Sequence, residues 1–236
     1  MAGDTRTLAE PEPELEKVDT AAETNTAAEA ASTGDPAKPP KKKRPRITAP
    51  PTSHLSINPY DWKYDPSIAF DANYIDLACL VARNSVSLKG HMGAVLLSPP
   101  NSIQPQGEIL HLSTNVPVFP VSTNKTMKSS AEIHAEANAI VSCARQGVST
   151  QGKWIYVTFP PCKDCFMLIV YAGIKRICHR RRCILPEMKE IAQTWGIELV
   201  EWTSAEEDDL CKARCDGLVK RWTEVNEPDE PLIPVQ

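Results

Sequence analysis

The chain reads as an α/β layered domain with some parallel strand pairs, and three observations predict it. Short apolar runs suited to strands alternate with segments of helical periodicity, glycine or proline closes many of these segments, and no internal repeat interrupts the alternation. The domain is expected over residues 53–225.

Each element has its own signal. Tyr74, Leu77, Ala78 and Val81 recur at helical spacing behind Asp71, which reads as an N-cap. Residues 92–97 form a short apolar strand and 108–113 its antiparallel partner. A helix from about His134 carries Ala137, Ile140, Val141 and Ala144 on one face and stops at Gly147. Residues 154–159 read as a strand ended by Pro160 and Pro161, 163–172 as a helix closed by Gly173, and 175–179 as a strand. A helix over 186–195, a strand over 197–202 and a last helix over 204–225 complete the series.

Composition sets the bounds. At 236 residues, 42% hydrophobic, the chain holds one domain of ordinary size plus tails. No run approaches the roughly 18 to 20 apolar residues of a membrane span, and the N-terminal region lacks the apolar core of a signal peptide, so no membrane partner is expected and the address reads as intracellular, cytoplasmic or nuclear. Eight cysteines in such a chain suit a reducing compartment and point to metal or catalysis rather than disulfides. A net charge of -4 does not advertise a nucleic-acid binder, although local basic clusters exist. Residues 1–52, rich in Ala, Thr, Glu and Pro, are expected to be disordered. Within them Lys41-Lys42-Lys43-Arg44-Pro45-Arg46 has the form of a nuclear localisation signal or an anion-contact patch. Residues 226–236, with Pro228, Pro231 and Pro234, read as a flexible tail.

The chemistry concentrates in His134-Ala135-Glu136 and Pro161-Cys162-Lys163-Asp164-Cys165. Together they offer three zinc ligands, His134, Cys162 and Cys165, and a carboxylate that coordination does not need. A structural zinc site is normally closed by four protein ligands, whereas a catalytic one keeps three and leaves a position for water. Both halves sit where a strand or loop hands over to a helix, so two helix N-termini should converge, favouring the thiolate forms of Cys162 and Cys165. Glu136 then reads as the proton shuttle. Cys79, Cys143 and Cys178 lie in apolar stretches and read as buried small hydrophobes. Cys211 and Cys215, spaced i, i+4, have no evident partner, and His179 reads as a surface residue in a basic run.

His-x-Glu followed by Pro-Cys-x-x-Cys is a signature already described for zinc deaminases. Over roughly residues 72–202 the chain resembles the cytidine and deoxycytidylate deaminase superfamily. The runs His134-Ala-Glu-Ala-Asn-Ala-Ile140, Cys143-Ala-Arg-Gln-Gly147, Tyr156-Val-Thr158, Pro161-Cys-Lys-Asp-Cys165 and Ala172-Gly-Ile-Lys175 look most like deoxycytidylate deaminases. The resemblance implies a cytidine deaminase-like three-layer α/β/α domain with a central mixed five-stranded sheet. It also implies a homo-oligomer and zinc-dependent hydrolysis of the exocyclic amine of a pyrimidine nucleotide, dCMP to dUMP. Asn115, in Ser113-Thr114-Asn115-Val116-Pro117, matches the family's substrate-contact position. Ala135 is expected beside it in the substrate site, with Lys125 and Lys128 as candidates for the phosphate.

Two other functions share parts of this pattern. A tRNA wobble adenosine deaminase, or its subunit, has the same zinc and glutamate parts and an Asn-x-Pro loop like Asn115-Val116-Pro117. In that case Lys175, Arg176, His179, Arg180, Arg181 and Arg182 would track RNA, or would otherwise be charges protecting a strand edge. A catalytically silent, zinc-stabilised subunit would instead dock through Leu210, Leu218, Val219 and Trp222 of the last helix. Glu136 discriminates, because a purely structural module has no chemical use for it.

Overall fold

The computed structural model describes residues 56–87, 90–118, 132–183, 185–202 and 204–226, all within the unit Pro45–Gln236. The tail 1–52 with its basic run, Lys125, Lys128 and residues 227–236 lie outside the described residues.

The elements run α1 (Phe70–Ala82), β1 (Gly93–Ser98), β2 (Glu108–Thr114), β3 (Val116–Pro117), β4 (Glu132–Ile133), α2 (Ala135–Arg145), β5 (Trp154–Val157), α3 (Lys163–Tyr171), β6 (Arg176–Arg180), α4 (Pro186–Thr194), β7 (Glu198–Trp202) and α5 (Ala205–Asn226). The main sheet has the order β2-β1-β5-β6-β7. β1 is antiparallel to both β2 and β5, while β5, β6 and β7 are parallel, joined by crossovers through α3 and α4. The sheet is therefore mixed, with five strands and helices on both faces. β3 and β4 form a separate two-stranded ribbon that sequence periodicity does not reveal.

Strand alternation divides the interior in two. Ala94, Leu96, Ile155, Val157 and Ile177 point to the face covered by α2, α3 and α4, where Ala135, Phe166, Ile169 and Met188 meet them. Val95, Leu97, Tyr156 and Cys178 point to the opposite face, under Tyr74, Leu77 and Val81 of α1 and Cys211 and Cys215 of α5. Gly147 and Gly173 each follow a helix with φ of +70° and +72°, the left-handed conformation that lets the chain leave without a Cβ clash. Among the described residues no helix is long and apolar enough to cross a membrane.

Several local expectations change. The N-cap of α1 is Ala69, not Asp71. Asp71 instead accepts two 2.8 Å hydrogen bonds from the Arg176 guanidinium and a third from the Tyr156 hydroxyl. Arg176, over the Trp154 ring at 4.8 Å, also pairs with Glu198 at 3.0 Å. Arg180 pairs with Asp208 at 2.5 Å, and His179 is fully buried rather than at the surface. Two of the arginines in the basic run are thus spent inside the fold. Nor is β6 an edge strand, since it lies between β5 and β7. Along α5, Leu218 and Val219 pack onto the core and Trp222 stacks edge-on against Tyr60 at 5.6 Å, leaving Leu210 as the exposed member of the supposed docking set.

Candidate metal centre and cleft

His134 is the N-cap of α2 and Cys162 the N-cap of α3, both with extended backbone, and Cys165 stands in the first turn of α3. The Cys165 backbone N–H donates to Cys162 Sγ at 3.5 Å, which fixes the first turn. The start of α2 is pinned to β2: Ser113 Oγ donates to the Ala135 carbonyl at 2.8 Å and Asn138 Nδ2 to the Thr114 carbonyl at 2.9 Å. Gly93 lets β1 come close from the other side, because a Cβ there would lie 2.1 Å from the Ala78 carbonyl oxygen of α1.

The two sulfurs each lie 3.5 Å from His134 Nδ1. Metal–nitrogen and metal–sulfur bonds of about 2.0 and 2.3 Å at tetrahedral angles put nitrogen and sulfur roughly 3.6 Å apart, so the spacing suits a zinc-sized ion. His134, Cys162 and Cys165 thus form a group able to hold a metal, and one imidazole with two sulfurs is a donor set that zinc favours. The expectation of helix-lowered thiol pKa values needs correction for Cys165. Burial pushes that thiol up, with Glu136 and Cys162 adding to the effect. A cation, rather than the helix dipole, is what would favour its thiolate.

Glu136, in the first turn of α2, is buried at 8% exposure, with the Cys165 side chain beside it. Burial raises its carboxyl above the usual carboxylate range, opposed by its own backbone N–H, His134 and Cys165. A cleft of about 290 Å³ opens over these residues. Its lining includes Asn115 and Ala135, both anticipated, and Glu132, Met92, Gly93, Thr158 and Phe159. Glu132 stands two residues before His134, but nothing in its spacing marks it. It is brought in by the β3–β4 ribbon, where it accepts from Ser87 Oγ and Asn115 Nδ2.

The fold and the site define a class: an α/β/α sandwich in which two helix N-termini present a three-residue metal group and a buried carboxylate at the floor of a cleft. Residues 69–180, a little under half of the chain, match the family described as the cytidine and deoxycytidylate deaminase zinc-binding region. Deoxycytidylate deaminase of Enterobacteria phage T2 is 40% identical over 80 residues, 33% of this chain and 43% of the relative. The chain thus spans less than half the length of that relative. A probable deoxycytidylate deaminase of Drosophila melanogaster is 30% identical over 139 residues, 54% of this chain and 66% of the relative. The solved dCMP deaminase of cyanophage S-TIM5, in complex with dCMP and dUMP, aligns with a TM-score of 0.44 at 23% identity, covering 59% of this chain and 99% of that one.

Proposed function

We propose that this protein is a zinc-dependent hydrolytic deaminase that converts a cytosine nucleotide, dCMP, to dUMP with release of ammonia. The observation that carries the reading is the buried Glu136 carboxylate beside a three-residue metal group at the floor of the cleft. The relatives named deoxycytidylate deaminase support the choice of substrate.

His134, Cys162 and Cys165 would hold the zinc. Zinc bound there would supply the Lewis acidity that makes water a nucleophile near neutral pH. Glu136 takes a proton from the attacking water and passes it to the ring nitrogen beside the attacked carbon. It then delivers the second proton to the exocyclic amine as the carbon–nitrogen bond breaks and ammonia leaves. Asn115 and Ala135 line the wall against which base and sugar rest, and Lys125 and Lys128 remain the proposed phosphate contacts. The cleft volume is near the lower end for small-molecule sites, which suits one nucleotide. The protein works inside the cell, in cytoplasm or nucleus, where its unpaired cysteines persist and Lys41 to Arg46 directs import. It assembles with like chains, a reading supported by the exposed Met167, Leu168 and Tyr171 of α3.

The test is a substrate panel. The zinc-loaded full chain is offered dCMP, CMP, deoxycytidine and an anticodon stem-loop with a wobble adenosine, and ammonia is measured. The highest kcat/KM is expected for dCMP. Turnover confined to the RNA would overturn the substrate assignment.

A further inference from the structure

On the opposite face of the sheet, α1 and α5 bring together a second set of metal-ligating side chains. Asp76 and Cys79 are i, i+3 on α1, and Cys211 and Cys215 are i, i+4 on α5, so each pair shares one helix face. Cys211 and Cys215 therefore have the partner that their spacing alone did not disclose. Ligand atoms of Asp76, Cys211 and Cys215 lie within 4.8 Å of one another, and Cys79 Sγ is 3.7 Å from Cys211 Sγ. Two sulfurs sharing a tetrahedral zinc stand about 3.8 Å apart. Cys79 is thus more than the small core residue its apolar setting suggests.

We propose that α1 and α5 are clamped by a second metal ion, zinc by its donor set, held by Cys79, Cys211, Cys215 and Asp76. Asp76, Cys211 and Cys215 are the three ligands already grouped, and Cys79, 3.7 Å from Cys211 Sγ at the edge of that group, would close on the ion as the fourth, the arrangement of a structural rather than a catalytic zinc. The surroundings are built to match. Arg214 holds the Asp76 carboxylate through bonds of 2.5 and 3.0 Å, leaving each oxygen a further lone pair, and Arg180 Nη1 lies 3.5 Å from Cys79 Sγ. When the three thiols ionise, a divalent cation with Arg180 and Arg214 balances their charge and that of Asp76. Asp208, the other partner of Arg180, is shared with Arg181. Asp76, Cys211 and Cys215 are almost wholly buried. A small cleft lined by Cys79, Cys211, Cys215, Arg83 and Lys212 gives the ion a path in. The clamp ties the C-terminal helix to the first one across 132 residues of sequence.

The experiment is metal counting on the full chain, purified under reducing conditions and reconstituted with zinc. Wild type is expected to carry two zinc ions per chain, and His134→Ala and Cys211→Ser one each. His134→Ala loaded with cobalt should show a thiolate-to-cobalt charge-transfer band that a further Cys211→Ser change removes. A wild-type content of one zinc that Cys211→Ser leaves unchanged overturns the proposal. So does a Cys79–Cys211 disulfide found by mass spectrometry of the protein purified without reductant. The wild-type count and the cobalt band decide the matter even if the cysteine variants fail to fold.

Discussion

The Asn115 amide uses all of its hydrogen-bonding capacity within the protein. Its two N–H groups donate to the Gly90 carbonyl and to Glu132, and its oxygen accepts from the Met92 N–H and from Ser85 Oγ. A side chain so engaged holds the cleft wall together. Replacing it removes the partner of the Met92 N–H and of the Gly90 carbonyl, at a cost of about 2–4 kcal/mol. Asn115→Ala is therefore expected to lower the urea-unfolding free energy by that amount besides impairing turnover. An unchanged unfolding free energy with a raised KM would reduce Asn115 to a plain substrate contact. His134, Glu136, Cys162 and Cys165 were legible because each pair is set by local spacing at the start of a helix. Ser85, Ser87 and Glu132 were not, because only the folded chain brings Ser85 and Glu132 to Asn115, across 30 and 17 residues, and Ser87 to Glu132, across 45.

At the scale of elements, β6 shows how tertiary context overrides composition. Its arginines and histidine look solvated in the sequence, yet the strand lies inside the sheet and Asp71 and Asp208 receive the charges of Arg176 and Arg180. His179 has no such anion bonded to it: its Nδ1 lies 2.9 Å from the Arg181 carbonyl, while Nε2 is buried without a partner. Burial, the leading cause, lowers its pKa from 6.5, outweighing the Arg181 carbonyl and Glu201, while Lys189 adds to the lowering. Between the folded and unfolded pKa values the unfolded chain binds more protons. Stability is therefore full above about pH 6.5 and declines as the pH falls through the folded value. Melting temperatures taken from pH 7 to 5 should fall less steeply for His179→Gln than for wild type. Parallel slopes would mean that His179 has no part in the acid sensitivity. Helix ends were easier to read, since Gly147 and Gly173 announce themselves, but the start of α1 was not. Asp71 had a cap's position in sequence and a long-range partner in space.

The whole molecule is organised by its sheet. The alternation of strands and helices was enough to predict a layered α/β domain, because each strand and helix carries its own period. The antiparallel β1–β2 pair was expected from two neighbouring apolar runs, whereas the pairing of β1 with β5 depends on contacts that no local pattern encodes. One face of the sheet carries α2, α3 and the metal group with Glu136, and the other carries α1, α5 and the cysteine cluster. The catalytic reading is a claim about Glu136 acting beside a bound metal. It is tested most directly by measuring ammonia release from dCMP and zinc content together, on the full chain and on Glu136→Ala. Glu136→Ala is expected to keep its zinc at His134, Cys162 and Cys165 while losing at least roughly 10²-fold in turnover. A zinc-loaded, folded wild type that leaves dCMP intact, or a variant that deaminates it as fast as wild type, would rule out Glu136 as the proton shuttle of a dCMP deaminase.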